Sequence, residues 1–564
     1  MPMTQQPATG YRLWGKPGLG SMRRGRSQST PRHLPAGVLL IAALVLLVRC
    51  AAAPLPAGGS TEQLFSRGLD EIVDLYIDPV SPRRLVLSGA QHLARLDENF
   101  SVSETAGGPA GSALVLSYGG REIGVYQTPA EDKVHGWAEV VSRVIADAKA
   151  ASPKLAALSQ EQIDQAVFDG ITGALDRFSR YSPPETARDQ RAARDGFGGI
   201  GVSLDAADRD FRVSAITPHG PADRAGVRPG DVLVAVDGLP TAGRPQGEVV
   251  KQLRGPLFSR IDLTLARDGS PGKRRLRMER ELIILPTVSL SRDGDIAVIR
   301  IASFNQSTTQ RLVDSLAEAQ RQAGGRLRGI VLDLRNNPGG LLDQAVSLAD
   351  EFIANGPIIA TVGRHPASRQ YFAASGDGIA PQIPIVVLVN GGSASAAEIV
   401  AAALQDAGRA VVVGSSSYGK GTVQTVVRLP NDGDLTLTWA RLVAPSGYIL
   451  NGHGVVPTLC TSDLGDNDGA VDQGLRRAVA TSAAQPRSTL DERAWAALRG
   501  ACPSRHGDRG IDVRIAERVL QDPALYARAV RVMAAAAHAP QQAAVPGSDL
   551  TAGGGALSSG STNP

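Results

Sequence analysis

The sequence predicts an α/β core with a smaller β-rich module inserted ahead of it and mainly helical regions at both ends. Three observations carry this reading. Short apolar runs at 296–301, 329–334, 385–389, 411–413 and 435–438 alternate with amphipathic stretches near 307–323, 341–353 and 396–404, which is the pattern of a sheet covered by helices. From about 194 to 281, glycines and turn residues punctuate short strand-like runs. Residues 61–189 and the chain beyond 472 place their apolar side chains mainly at helical spacing.

The chain has 564 residues, enough for roughly three or four domains. Its first 53 residues hold seven basic side chains and no acidic one, so without them the net charge of +4 becomes −3 and no basic patch for nucleic acid is left to explain. Residues 36–48 are almost all apolar, the length of a signal-peptide core and short of the roughly 20 residues a spanning helix needs. Ala51-Ala52-Ala53 then offers small residues for cleavage. Residues 1–53 are therefore expected to be a signal peptide or membrane anchor, and the protein exported to the periplasm or the periplasmic face of the inner membrane. Lipidation at Cys50 is disfavoured, because Arg49 stands where a small residue is needed.

In 61–189, Leu64, Phe65, Leu69, Ile72, Val73, Tyr76 and Ile77 recur at helical spacing, and 113–127 alternates around Gly119-Gly120 as a hairpin insertion. This extra region is the expected place for partner-specific or regulatory function. The next module, 194–281, opens with Phe197-Gly198-Gly199-Ile200-Gly201-Val202 and continues with Pro221-Ala222-Asp223-Arg224-Ala225-Gly226-Val227-Arg228-Pro229-Gly230-Asp231. A glycine-rich turn with free N–H groups can hold a terminal carboxylate, while the following strand edge pairs with an extended peptide and a helix near 247–253 walls the groove. In this order the set resembles a PDZ domain, a small sandwich or barrel-like β fold. The resemblance implies capture of free C-termini ending in apolar residues, with Gly198, Gly199, Ile200, Gly201 and Val202 as the peptide-binding stretch.

The α/β core spans 286–460, a helical C-terminal region spans 461–540 with helices at 475–483, 490–498 and 511–537, and 541–564 reads as a disordered tail rich in Ala, Gly, Ser, Gln and Pro. Beyond the leader only Cys460 and Cys502 remain, an even count in a compartment that permits disulfides, and they are expected to pair. No Cys/His cluster has metal-ligand spacing, and no glycine-rich phosphate loop stands between a strand and a helix.

The chemistry concentrates in 384–424. A buried strand, 385–389, runs into a turn of small residues, and a helix begins at about Ser395, which puts a hydroxyl beside exposed amides and the positive end of a helix dipole. Ser395 with Glu398 also has the spacing of a plain capping box. Lys420, between Gly419 and Gly421, changes the balance. Residues 420, 422 and 424 of an extended chain share a face, so Gln424 can lie beside Lys420 and hydrogen-bond to it. Desolvation would lower the lysine pKa until the neutral amine accepts the Ser395 proton.

The stretch from Asn390 to Glu398, the stretch Tyr418-Gly419-Lys420-Gly421-Thr422-Val423-Gln424 and the 25 positions between Ser395 and Lys420 resemble the carboxyl-terminal processing proteases, the tail-specific serine peptidases. That resemblance covers about 155–458. It implies a crotonase-like core, Ser395 as nucleophile with Ser393 as nearest competitor, Lys420 as general base, and Gln424 as its orienting residue. It also implies an oxyanion hole from the N–H of Ala396 and one in Asn337-Pro338-Gly339-Gly340, at Gly339 or Gly340. Residues 165–179 resemble the family's segment before the PDZ module, and 452–457 its closing segment, with Thr458 where an acidic residue is usual. The activity implied is that of an exported serine endopeptidase acting on protein or peptide tails without a cofactor. The resemblance leaves room for an adaptor protein, for membrane association through the leader and for an oligomer. Two rivals stand beside it: a Ser-His-Asp hydrolase using His453 or His365, and a PDZ scaffold whose protease domain is latent or inactive.

Overall fold

The central sheet explains why the catalytic strands are apolar runs without alternation. In the computed structural model, which describes residues 60–108, 111–207, 210–376, 378–380, 382–465 and 487–537, six strands lie in the order Val288–Asp293, Ile296–Ile301, Gly329–Asp333, Ile385–Val389, Ala410–Gly414 and Leu459–Cys460. The first pair is antiparallel and the rest are parallel. Ile330, Leu332, Ile385, Val387, Val389 and Val412 join a core with the helices Thr308–Gln322, Leu342–Asp350 and Ala396–Asp406. Their neighbours Val331, Val386, Leu388, Val411 and Val413 join a second core with Gly510–Gln521 and Pro523–Ala537. Both faces of the inner strands are buried, so 330–332, Ile385–Val389 and 410–413 are apolar throughout. The C-terminal region is thus the second cover of the catalytic sheet.

Two expectations on the core and C-terminal region need correction. The run 435–438 belongs to Asp434–Val443, in a separate sheet ordered Gln370–Ala373, Pro357–Val362, Asp434–Val443 and Thr422–Arg428, with Arg180–Ser182 also paired to Asp434–Val443. Periodicity finds a strand but does not say which sheet takes it, and here a tight reversal, with Leu429 N donating to Gly433 O at 2.8 Å, ties the run to the strand after Lys420. The expected helix 511–537 is broken at Asp522-Pro523, where Asp522 Oδ1 caps a new start by accepting the N–H of Ala524 and Leu525, each at 3.0 Å. The leader, the expected helix 475–483 and the tail 541–564 lie outside the described residues.

The N-terminal region packs Thr61–Leu75, Pro82–Gln91, Val134–Ala151 and Gln160–Gly173 with a three-stranded sheet, Phe100–Gly108, Gly111–Tyr118 and Arg121–Gln127. The hairpin forms on Gly119 and Gly120 at φ 57° and 78°, as a two-residue turn of positive φ requires. Its partner Phe100–Gly108 carries serines and a threonine that break the apolar pattern, so periodicity gives no sign of it. The Phe168 ring stacks with those of Phe65 and Tyr181, each at 4.6 Å, in a core shared with Leu435 and Leu437 of the second catalytic sheet. Ile77 N also donates to Thr438 O at 2.9 Å. The extra region is therefore built onto the strands that carry the site.

In the 194–281 module the sheet runs Lys273–Glu279, Arg260–Ala266, Val232–Val236, Asp210–Ile216 and Val202–Ala207, which leaves Val202–Ala207 as a sheet edge. The helix Gln246–Leu253 lies beside that edge, with Gln246 Nε2 donating to Leu204 O at 2.9 Å.

Cys460 and Cys502 are bonded, closing a separation of 42 residues. Loop closure of that size is worth roughly 4 kcal/mol in the chain-entropy account. Urea unfolding followed by tryptophan fluorescence should accordingly reach its midpoint at lower urea with dithiothreitol than without; coincident midpoints would show that the bond carries none of the stability.

Candidate active site

Ser395 occupies a sharp corner between the buried strand Ile385–Val389 and the helix Ala396–Asp406, with φ 55° and ψ −115°. A left-handed conformation at a residue other than glycine costs roughly 1–3 kcal/mol and persists only where surroundings impose it. Here they do. Asn390 Oδ1 accepts the N–H of Asn336 at 2.8 Å and of Gly392 at 2.9 Å, and Glu398 Oε2 accepts Ser395 N–H at 2.8 Å. Ser395 is half-buried, whereas Ser393 is fully buried, accepting Asn390 N–H at 2.9 Å and donating to Leu334 O at 2.8 Å. Ser393 has a structural task, and its hydroxyl is spent on it.

Glu398 is more than a cap. Its carboxylate, with no exposure, accepts from Ser395 N, Ser417 Oγ, Gly419 N at 2.6 Å and Lys420 N at 2.9 Å. One buried anion thus fixes the backbone at both Ser395 and Lys420. Burial pushes its carboxyl pKa up, and the four hydrogen bonds oppose the shift. The capping-box spacing flagged this residue, but its second set of partners lies 19 to 22 positions away and no local pattern reaches them.

Lys420 is half-buried, its ammonium 5.3 Å from the centre of the Phe178 ring. Burial lowers its pKa, with Arg180 adding to the effect and Glu398 and Asp176 opposing it. Phe178 lies within 165–179, where nothing in the sequence marks it as part of the site; Asp176 Oδ1 accepts the N–H of Phe178 and of Ser179, each at 2.7 Å, which fixes the turn that presents the ring. The expected Gln424–Lys420 hydrogen bond is not formed. A register shift between Val423 and Gln424 breaks the two-residue alternation, and the Gln424 amide donates to Thr422 Oγ1 at 2.9 Å and Thr438 Oγ1 at 3.3 Å.

The loop 333–340 meets Ser395 directly. A Cβ on Gly339 would lie 2.8 Å from Ser395 Cβ and 3.0 Å from Ala396 N, and one on Gly340 would lie 2.0 Å from Phe304 O, so glycine alone fits at φ 103° and 147°. Among the described residues the N–H groups of Ala396 and Gly340 have no acceptor, while Gly339 N–H donates to Asn337 Oδ1 at 2.8 Å.

The two histidines face elsewhere. His453 bonds Ile449 O at 2.8 Å and Glu492 Oε1 at 3.2 Å with its ring stacked on Trp495, and His365 accepts Ala367 N–H at 3.2 Å with Asp74 at 3.8 Å. Each has a carboxylate neighbour that the sequence did not suggest, and neither bonds Ser395. Among the described residues no group of three or more His, Cys, Asp or Glu side chains is arranged to hold a metal ion, and no helix is long and apolar enough to cross a membrane. In the peptide-binding stretch, Gly198 and Gly199 pair with Leu282 and Glu281, and Ile200, Gly201 and Val202 lead from there into the edge strand.

Comparison with known proteins agrees on the family. Residues 295–460 match the model of peptidase family S41 and residues 212–267 that of the PDZ domain. A carboxy-terminal-processing protease of Bartonella bacilliformis is 39% identical over 302 residues, 53% of this chain and 69% of the relative. A protein of Staphylococcus aureus (strain bovine RF122 / ET3-1), named as a probable CtpA-like serine protease, is 35% identical over 303 residues, again 53% of this chain but 60% of the relative. Among solved structures, a photosystem II D1 C-terminal processing protease is 24% identical with a TM-score of 0.35, covering 71% of this chain and 92% of that one. The chain belongs to peptidase family S41, as a serine-type peptidase of the carboxy-terminal-processing group with a PDZ domain.

Proposed function

We propose that this peptidase is exported, takes substrate C-terminal tails in its PDZ groove and cleaves them in a crotonase-like core with a Ser395–Lys420 dyad. The observation that carries the proposal is the shared Glu398 carboxylate, which ties the strained Ser395 corner and the Lys420 backbone to one point. In the reaction the neutral Lys420 amine accepts the Ser395 hydroxyl proton as Oγ attacks the scissile carbonyl. The N–H of Ala396 and one from Gly339-Gly340 take the oxyanion, and Lys420 returns the proton to the leaving amine. Water then attacks the acyl-enzyme by the same route in reverse. Gln424 orients the base once its amide leaves the two threonines. Export is supported by the Cys460–Cys502 bond and the leader pattern.

The arrangement supports a resting state that substrate must complete. Gly339 N–H is held by Asn337, Lys420 is not bonded to Ser395 or Gln424, and the groove carbonyl of Leu204 is held by Gln246. A tail entering as an added strand displaces Gln246 from Leu204.

The test is cleavage of an unfolded protein by the purified chain lacking its leader. An apolar free C-terminus should be cut at least about tenfold faster than a charged one, a difference of about 1.4 kcal/mol. Ser395→Ala should be inert. Equal cleavage of both tails would remove the PDZ from selection, and equal inertness of wild type and Ser395→Ala would bring the scaffold reading forward.

A further inference from the structure

We propose that Arg499 is a positioning residue for the peptidase reaction, holding the base-carrying loop from a C-terminal helix that lies beyond the family match. The inference rests on Ser395 and Lys420 acting as the dyad. Arg499 stands near the end of Glu492–Ala501, half-buried, with Nη2 donating to Ser417 O at 3.1 Å and Nη1 to His453 O. Ser417 in turn donates its hydroxyl to Glu398 and accepts Val455 N–H at 2.7 Å, and the amides of Gly419 and Lys420 end on the same carboxylate. The chain of contact from Arg499 to the base is therefore continuous: guanidinium, Ser417, Glu398, Lys420.

Several features separate this from ordinary packing. The planar guanidinium joins carbonyls from two different loops, which an ammonium on a flexible stem does not reproduce. Among the described residues no carboxylate forms an ion pair with Arg499, and the nearby carboxylate is Glu398; a Cβ on Gly454, at φ 62°, would lie 2.9 Å from Glu398 Oε1 and 3.1 Å from Arg499 Nη1. Glycine leaves the cation and the carboxylate facing each other. Burial lowers the arginine pKa and Glu398 opposes that shift. The segment that follows is fastened to the base-carrying loop and to the turn before Ser395: Ser416 Oγ donates to Cys502 O at 2.6 Å, Arg505 N to Ser415 Oγ at 3.1 Å, and Gly391 N to Arg505 O at 2.6 Å. The Cys460–Cys502 bond anchors it to the sheet.

The experiment compares the chain with Arg499→Ala, Arg499→Lys and Asp491→Ala. Asp491 caps the same helix by accepting Ala494 N–H at 2.8 Å, and its side chain makes no hydrogen bond or ion pair to either loop among the described residues, so it controls for helix stability. Arg499→Ala should lower kcat about 10- to 100-fold with KM changed by less than about threefold, as displacement of a reacting group does. Arg499→Lys should recover part of the loss, and Asp491→Ala should keep kcat at a comparable fall in melting temperature. Amide exchange of the peptide holding Gly419 and Lys420 supplies a readout that needs no turnover: it should quicken in Arg499→Ala and not in Asp491→Ala. If wild type and Ser395→Ala were equally inert, the dyad reading would fail while the exchange result still decided the role of Arg499. Unchanged exchange, unchanged kcat, or an equal kcat loss in Asp491→Ala would each overturn the proposal.

Discussion

Lys420→Met should lower kcat/KM by about 10⁴-fold or more, the scale at which removal of a catalytic base acts, while leaving tail binding to the PDZ groove unchanged. The side chains are close in volume, so packing against Phe178 is retained and the loss reports the amine. The wild-type rate carries a second signature. Burial lowers the Lys420 pKa, with Arg180 helping, so the neutral amine becomes the major form at a pH below that of an ordinary lysine. Activity should climb as pH rises through that depressed value and level off above it; a rate flat from mildly acidic to alkaline pH would count against lysine as the base. The same shift bears on stability. Between the folded and unfolded pKa values the unfolded chain binds a proton that the native chain does not, so stability rises with pH across that window and the burial cost is complete below it. Lys420→Met removes this cost at neutral pH and should melt no lower than wild type. A histidine-based hydrolase would keep its turnover in the variant.

What the sequence made legible follows from how far each signal reaches. Strands buried on both faces must be apolar throughout, so Ile330 to Leu332 and Ile385 to Val389 stand out, and the turn of small residues before Ser395 locates the corner. The pairing of Asp434–Val443 with Thr422–Arg428, and the bulge that turns Gln424 toward Thr422 and Thr438, depend on register, which a hydrophobic pattern does not encode once both neighbours are strands. Phe100–Gly108 is hidden for a related reason: with Ser101, Ser103 and Thr105 on it, its pairing with Gly111–Tyr118 is visible only in space. Glu398 and Arg499 are the instructive pair. A glutamate three residues after a serine is a local cap, and an arginine in a C-terminal helix is a surface charge, until the fold brings Ser417, Gly419 and Lys420 between them.

Glu398→Gln should reduce kcat by about 10²-fold, the cost of moving a reacting group by roughly 1 Å, and destabilise the fold by about 1–3 kcal/mol, the cost of leaving a buried donor unmet. The substitution preserves volume and removes one acceptor oxygen. In wild type, Oε1 takes Ser417 Oγ and Gly419 N, and Oε2 takes Ser395 N and Lys420 N. If the new NH₂ replaces Oε1, the Ser417 hydroxyl can turn round and accept, but Gly419 N–H faces a donor. If it replaces Oε2, the amides of both Ser395 and Lys420 face one. The first orientation is the less costly, and it still releases the loop one residue before the base. Ser417→Ala makes the useful contrast: it leaves Val455 N–H without its acceptor and so should also destabilise the fold, but it keeps the other three donors to the carboxylate and the Ser417 carbonyl that Arg499 holds, so its kcat should fall less than that of Glu398→Gln. Labelling of Ser395 by a serine-directed phosphonate should slow in Glu398→Gln in step with kcat, since both depend on the geometry that the carboxylate holds. If kcat and labelling both stayed at wild-type values, the shared carboxylate would be a structural cap alone, and the positioning of Ser395 relative to Lys420 would have to come from the sheet that carries each of them.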